Sequence, residues 1–211
     1  MEQIYYLNES ELKITEKHFE QKNDKYSRYF IKGEITGTLI EKPIDNRSIK
    51  INHLETYDEY LKIDQTKLDK EWIYNIIDHK AETNDIIYED DNIILIPDYK
   101  WDKDIRNLHI LGIFKDKELY SIRELEGKHI GMLERSVEKC KEIINDEYGI
   151  NKMWVFFHYH PSVWQLHLHF MNIECESKTY SLPRSHLVST VIENLKISDD
   201  YYKKVKLEIL K

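Results

Sequence analysis

Four of the ten histidines in this chain lie within the segment FHYHPSVWQLHLHF, as His158, His160, His167 and His169. Three interpretations of this density are open. The residues are ordinary half-exposed strand histidines, or they bind a metal ion, since His-x-His on a strand is a zinc-ligand spacing. In the third interpretation they carry out phosphoryl transfer without a metal: one imidazole is the nucleophile, and its neighbours donate hydrogen bonds to phosphate oxygens. That interpretation also uses the nearby hydroxyl of Ser162.

The residues Trp164–Phe170 alternate between apolar and polar, which predicts a β-strand with Gln165, His167 and His169 on one face. Neighbours on that face lie about 7 Å apart, a gap that a phosphate group spans. His158 ends the preceding predicted strand and can face the same spot across the hairpin. The periodicity leaves open which histidine is the nucleophile. A nucleophilic imidazole must point into an open cleft, so we expect such a cleft here.

The elements around this hairpin predict an antiparallel α+β domain from about residue 61 to the end of the chain. Apolar residues at helical spacing predict three helices, and alternating or continuous apolar runs predict the strands. The predicted elements are a helix over Thr66–Lys80, a hairpin in DIIYEDDNIILIP, a strand over Asn107–Phe114, a helix over Glu126–Tyr148 that Gly149 stops, strands over Met153–Tyr159 and Trp164–Ile173, and a helix over Leu187–Leu195.

The first sixty residues predict only short elements. They are a helix around Glu9–Glu20, one strand over Tyr29–Glu41 and another over Ser48–Leu54. A segment of this size buries little surface alone. We therefore expect it to pack on the rest of the chain or on a second chain.

The composition excludes several classes of protein. Of 211 residues, 41% are hydrophobic and 33% charged, which is typical of a globular protein. The net charge of −8 argues against a generic DNA or RNA binder. No apolar run approaches the roughly 20 residues of a membrane span, and the first residues do not resemble a signal peptide. The two cysteines have no metal or disulfide spacing, so we expect a reducing compartment, with a cytoplasmic or nuclear location.

QLHLHF resembles the His-x-His-x-His signature of the histidine triad superfamily of nucleotide hydrolases and transferases, with Gln165 at the first position. HYHPSVWQLHLHF is similar, more specifically, to the scavenger mRNA decapping enzymes. The resemblance continues in EWIYNIIDHKAE, IPDYKWD and PRSHLVSTVIENL, and covers residues from about 54 to 205. Four motifs in the same order are far more specific than a triad alone. The resemblance implies a histidine-triad-like catalytic domain over 61–211 and a small N-terminal α/β dimerisation or lid domain over 1–60.

The resemblance also implies an activity. It is the hydrolysis of 7-methylguanosine cap dinucleotides and short capped oligonucleotides to 7-methyl-GMP and a nucleoside or oligonucleotide diphosphate. The catalytic residue is then His167, which forms a covalent intermediate. The phosphate groups are bound by His158, Ser162, His169 and Arg184, the last at the start of the final predicted helix. No metal and no cofactor are expected.

The resemblance places the cap base in a pocket formed by Trp72, Glu82, Pro97, Asp98 and Lys100. Methylation at N7 makes guanine cationic, so an indole binds it by stacking and cation–π attraction. A carboxylate accepts hydrogen bonds from the N–H groups of the guanine edge. From the sequence alone, Trp72 also fits the apolar face of its helix as a core residue, and both carboxylates fit as surface charges.

Three positions depart from the family pattern: Gln165 replaces a histidine, Val163 replaces a tyrosine, and His160 is additional. The extra imidazole is a phosphate contact, a surface residue or part of a metal site. Members of the family are dimers with a swapped N-terminal segment, so a homodimer is expected. Three alternatives remain: a general hydrolase of dinucleoside polyphosphates or phosphoramidates, an inactive cap-binding regulator, and a metal-dependent hydrolase.

Overall fold

The computed structural model describes residues 2–4, 14–22, 27–33, 37–43, 52–64, 67–175 and 184–210. The chain divides into two compact units, Met1–Lys50 and Ile51–Lys211. Each unit is described by itself.

The first unit contains a four-stranded antiparallel sheet with the order β1-β4-β3-β2. Its strands are β1 (Glu2–Ile4), β2 (Ile14–Lys22), β3 (Ser27–Gly33) and β4 (Gly37–Pro43). The predicted helix over Glu9–Glu20 is wrong from Ile14 onward, because this stretch pairs with β3, and sheet pairing overrides a weak local preference for helix. Its residues 9–13 lie outside the described part of the chain.

The second unit begins with a strand that pairs with the other end of the chain. Strand β5 (Asn52–Glu55) runs antiparallel to β12 (Leu207–Leu210). Helix α1 (Tyr57–Tyr60) follows and places Tyr60 in the core. Since this unit starts at Ile51, residues that the sequence analysis assigned to a 1–60 segment lie within it. The functions predicted for the two domains stay predictions.

A six-stranded antiparallel sheet forms the centre of the second unit, with the order β11-β9-β10-β8-β7-β6. The strands are β6 (Tyr88–Glu89), β7 (Ile93–Pro97), β8 (His109–Phe114), β9 (Met153–His158), β10 (His167–Asn172) and β11 (Ser185–Leu187). The predicted hairpin in DIIYEDDNIILIP is confirmed as β6 and β7. Together with the helices, this sheet confirms the α+β class.

One face of the sheet carries the main core. Leu168 and Phe170 of β10 belong to it, as do residues of three helices. These are α3 (Ile130–Tyr148), α4 (Val188–Ile197) and α5 (Tyr201–Lys204). The predicted end of the long helix is confirmed, because Gly149 adopts a left-handed conformation with φ of 70°. No helix in the described part of the chain is long and apolar enough to cross a membrane.

The opposite face is divided between an apolar half and a histidine half. Helix α2 (Glu71–Ile77) is shorter than the predicted Thr66–Lys80, and its isoleucines belong to a second core cluster with Leu111 and Ile113 of β8. In the sheet register, Leu111 is opposite His169 and Ile113 is opposite His167. The apolar half under α2 therefore lies directly beside the histidines.

Candidate active site

The register of three neighbouring strands brings four histidines to one face. His169 is opposite Phe156 of β9 and Leu111 of β8. His158 is two residues from Phe156, and His109 is two residues from Leu111, so both point to the same face as His169. The ring of His169 is central: its centroid lies 4.2 Å from that of His158, 5.0 Å from His167 and 5.2 Å from His109.

His167 is held in one orientation by a main-chain hydrogen bond. Its Nδ1 lies 2.7 Å from the carbonyl oxygen of Gln165. Because a carbonyl only accepts, Nδ1 carries the proton, and Nε2 of the neutral ring has a free electron pair. Burial lowers the pKa of His167, which outweighs the opposing effect of this hydrogen bond. The ring is thus neutral at pH 7, as a nucleophile requires.

The surroundings of His167 differ from the open cleft expected from the sequence. The residue is only 6% exposed, and His169 is 5% exposed. Val163, in the turn between β9 and β10, packs with the apolar cluster under α2.

Gln165 lies outside the strand in which its alternation with the histidines placed it. It precedes β10, is fully buried, and its Nε2 donates to the carbonyl oxygens of Phe114 and Asp116 at 2.7 and 2.8 Å. These bonds fix the main chain whose carbonyl orients His167. The glutamine therefore acts on the site through the backbone.

His169 ends a chain of buried polar groups that the sequence did not reveal. Its Nδ1 lies 2.9 Å from Nε2 of His109, and Nδ1 of His109 lies 3.6 Å from Oδ2 of Asp98. Burial lowers the pKa of both histidines, that of His169 well below its ordinary value. Nε2 of His169 has no hydrogen-bond partner. His109 stands alone in its stretch of sequence, so only the sheet register connects it to the site.

A metal ion could also be considered at Asp98, His109 and His169, because one ligand atom from each lies within 4.8 Å of the others. The direct hydrogen bond between the two imidazoles argues against this use. It already occupies a nitrogen electron pair, which a metal ion would have to take over. The three residues form a chain of buried polar groups, in which one hydrogen bond joins the two imidazoles and the carboxylate lies at ion-pair distance from His109.

Arg184 is positioned by the strand that follows it and not by a helix. The sequence predicted it at the start of the last helix, but α4 begins at Val188, and Arg184 directly precedes β11. The next residue, Ser185, pairs with His158, so the strand pairing brings Arg184 beside the histidines. Its charge contributes to the lowered pKa of His167.

His160 and Glu55 form a pair that fixes this region. Nε2 of His160 lies 2.7 Å from Oε2 of Glu55, and Nε of Arg184 donates to the carbonyl oxygen of His160 at 2.9 Å. Ser162 is exposed in the same turn. The extra histidine thus connects a buried carboxylate to the backbone that positions the arginine.

Arg123 completes this network from the interior. It is fully buried, and its Nη2 lies 3.3 Å from Oε1 of Glu55. Its Nε donates to the hydroxyl of Tyr159 at 3.0 Å, and that hydroxyl donates to Glu55. Neither Glu55 nor Arg123 was predicted as a site residue, because the two lie far apart in the chain and form no motif.

The residues predicted for the cap base also come together. Nε1 of Trp72 donates to Oε1 of Glu82 at 2.6 Å, and the ring of Tyr99 lies edge-on to the indole with centroids 6.2 Å apart. Tyr99 lies between Asp98 and Lys100, just beyond Pro97, the last residue of β7. Trp72 is half-buried and packs against the apolar cluster, so it is in part a core residue; its contact with the cap base stays a prediction.

Comparisons with known proteins give consistent results. The family described as "Scavenger mRNA decapping enzyme C-term binding" matches residues 71–182, more than half of the chain. The m7GpppX diphosphatase of Ascaris suum is 34% identical over 88% of this chain and 69% of its own length. Those of Caenorhabditis elegans and Homo sapiens are 35% and 31% identical over 69% and 89% of this chain. The chain spans about half of their lengths, 49% and 52%.

Among solved structures, the aprataxin ortholog Hnt3 from Schizosaccharomyces pombe has a TM-score of 0.43 and 19% identity. The match covers 62% of this chain and 74% of that one. The similarity is too low to support an argument about the site.

Proposed function

Because the chain belongs to the family of scavenger mRNA decapping enzymes, we propose that it hydrolyses 7-methylguanosine cap dinucleotides and short capped oligonucleotides. The products are 7-methyl-GMP and a nucleoside or oligonucleotide diphosphate. The observation that carries the proposal is the orientation of His167. Its Nδ1 is held by a carbonyl oxygen at 2.7 Å, so its Nε2 is the basic atom of a ring that lies next to His169, the centre of the histidine cluster.

We propose that the reaction proceeds in two displacements. The electron pair of His167 Nε2 forms a bond to the phosphorus next to 7-methylguanosine, while the bond from that phosphorus to the bridging oxygen breaks. The diphosphate leaves with the bond electrons. Water then attacks the same phosphorus, breaks the nitrogen–phosphorus bond and restores the imidazole, which releases 7-methyl-GMP.

The proposed phosphate contacts are His158, His169, Ser162 and Arg184. The unpartnered Nε2 of His169 supports this assignment, because a buried polar atom without a partner is costly and an arriving phosphate oxygen would satisfy it. A guanidinium is also suited to phosphate oxygens. As charge develops on the phosphoryl group, these groups stabilise it without a metal ion or a cofactor.

The proposed base pocket consists of Trp72, Glu82, Pro97, Asp98 and Lys100. The hydrogen bond at 2.6 Å between Trp72 and Glu82 supports it, because this bond fixes the indole and the carboxylate next to each other. The indole stacks on the cationic base, and the carboxylate accepts from the guanine edge. We also propose a homodimer in which the N-terminal segment acts as a lid, on the basis of the resemblance alone.

The decisive experiment is the hydrolysis of 7-methyl-GpppG in the presence of EDTA, with product analysis. We expect 7-methyl-GMP and GDP from the wild type. We expect His167→Asn to lower turnover by at least about 10³-fold while it retains ligand binding, since only the nucleophile is removed. His79→Asn is the matched control, because His79 is exposed and asparagine tolerates its left-handed conformation, with φ of 54°.

Turnover of His167→Asn near that of the wild type would overturn the proposal, as would activity that EDTA abolishes. Equal rates with methylated and unmethylated GpppG would instead indicate a general dinucleoside polyphosphate hydrolase. Tight binding of 7-methyl-GDP without any turnover would indicate a cap-binding regulator.

A further inference from the structure

The chain of buried polar groups formed by Asp98, His109 and His169 determines how many hydrogens the two imidazoles must carry. Its three residues are 6%, 5% and 5% exposed, so water does not readily supply alternative partners. The chain runs from the carboxylate of Asp98 through both nitrogens of His109 to Nδ1 of His169. It ends at the unpartnered Nε2 of His169, where a phosphate oxygen is proposed to bind.

When an anion is bound at His169, three contacts along this chain each need a hydrogen. Nδ1 of His109 faces a carboxylate and needs a hydrogen. One hydrogen must lie between Nε2 of His109 and Nδ1 of His169. Nε2 of His169 faces the anion and needs a third hydrogen. Two neutral imidazoles carry only two hydrogens, so the pair is one proton short.

We propose that the His109–His169 pair takes up one proton when a phosphate group of the substrate binds at His169. His109 is a positioning residue in this step, because it holds Nδ1 of His169 and shares the added charge. This inference rests on the proposed function, because it uses the phosphate contact assigned to His169. The free site holds a neutral pair, and the occupied site holds a pair with one positive charge. His109 stabilises that charge by passing it toward Asp98.

The groups around the two imidazoles favour a neutral pair in the free site and a protonated pair in the occupied site. In the free protein, burial lowers the pKa of both histidines, and the neighbouring charge of Asp98 only partly opposes this for His109. A bound anion adds negative charge beside His169 and favours the protonated form. The titratable and charged groups that face the pair are Asp98 and Lys100 after β7, His158 at the end of β9, His167 on β10, and Arg184 before β11.

The test is calorimetric titration of 7-methyl-GpppG at one pH in buffers of different ionisation enthalpy, which gives the number of protons taken up on binding. A His167→Asn background leaves the ligand uncleaved. We expect this parent to take up about one proton more per ligand than the same protein with His109→Phe. Ionisation of the ligand itself contributes to both proteins and cancels in the difference.

The affinity should also depend on pH. Since binding consumes a proton, the Kd of the parent should rise with pH relative to that of the His109→Phe protein, by up to about tenfold per pH unit. A purely structural role of His109 would weaken binding equally at every pH. His186→Phe is the matched control: His186 is on the opposite face of the sheet, with its pKa lowered to about 4 by burial, and its loss should leave the proton uptake unchanged.

Asp98→Asn provides a second test that does not remove a ring. An asparagine amide can donate to Nδ1 of His109, so two imidazole hydrogens suffice and the uptake should disappear. If His109→Phe or Asp98→Asn takes up as many protons on ligand binding as the parent, the inference is overturned. Turnover of the wild-type enzyme is measured separately, so a protein that takes up the proton but cleaves nothing would refute the proposed function alone.

Discussion

Glu55→Gln removes a buried negative charge while it keeps the size of the side chain. Glu55 is 2% exposed. Its Oε2 lies 2.7 Å from Nε2 of His160, and its Oε1 accepts from the hydroxyl of Tyr159 and lies 3.3 Å from Nη2 of Arg123. If these contacts stabilise the second unit, their loss must be visible in the free energy of unfolding.

The expected loss of unfolding free energy depends on the hydrogen bonds that Arg123 retains in the variant. Removal of one partner from a buried ion pair costs about 3–5 kcal/mol. Here the guanidinium still donates to the main-chain oxygens of Tyr202, Val205 and Glu55, at 2.6, 2.9 and 2.9 Å. These bonds compensate part of the loss, so we expect Glu55→Gln to lower the free energy of unfolding by about 2–4 kcal/mol at pH 7.

The same contacts predict a dependence on pH. Burial raises the pKa of Glu55, but hydrogen bonds from His160 and Tyr159 and the charge of Arg123 lower it more, so the net pKa lies below its ordinary value of 4.5. A carboxylate with a lowered pKa contributes stability that is present above pH 4.5 and is lost as the pH falls through the folded pKa. The difference between wild type and variant should therefore shrink below pH 4.5.

Urea denaturation followed by tryptophan fluorescence measures both effects. Glu89→Gln is the matched control, because Glu89 pairs with Lys115 at 2.7 Å at a half-exposed position. A pair of that kind contributes about 0–1 kcal/mol. If both variants lose the same stability, or if Glu55→Gln loses less than about 1 kcal/mol, the network does not stabilise the fold in the way argued above.

Three further predictions concern the site and the sheet. Since burial lowers the pKa of His167 in the free protein, the neutral nucleophile persists below pH 6.5, and on acidification kcat/KM should fall only below that value; a loss of kcat/KM that sets in above pH 6.5 as the pH is lowered would contradict this. Gln165→Leu removes the side-chain donor from two main-chain carbonyls, of which that of Asp116 still accepts from the N–H of Leu119 at 3.1 Å, and should cost about 1–3 kcal/mol in urea denaturation. Gly112→Ala places a Cβ 2.9 Å from Cδ1 of Ile93 and 3.0 Å from Cε2 of Phe170, and should cost about 1–3 kcal/mol in thermal unfolding, whereas an unchanged Tm would show that the core adapts.

The regular elements of the second unit could be predicted because their patterns are local. The hairpin at β6 and β7 follows from two apolar runs around Asp-Asp-Asn, and α3 follows from its apolar spacing and Gly149. The pairing of β5 with β12 could not be predicted, because it joins the two ends of this unit. The helix predicted from Ile14 onward was wrong for the same reason. Pairing with a partner strand determines the conformation of this segment, and the local sequence does not contain that information.

The residues of the candidate site also divide into those that local sequence could predict and those that depend on long-range contacts. His158, His167 and His169 were predictable as a group because they are close in sequence and because the family motif includes them. His109 lies 60 residues from His169, and Glu55 lies 105 residues from His160, so their contacts depend on the sheet register and on the packing of β5. The predicted strand included Gln165 because strict alternation was extended beyond the first residue of β10.

The net charge of −8 and an anion site are compatible, because a buried site responds to the charges next to it. Exposed charges more than about 8 Å away are largely screened at physiological ionic strength. Around the histidines, the carboxylate of Glu55 is already paired with Arg123 and His160, while Arg184 remains next to the rings. Asp98 is the carboxylate whose charge acts on the cluster, and it lies beside His109. The residue that would repel a phosphate group is therefore separated from it by two imidazoles, and its charge favours the proton that the phosphate group requires.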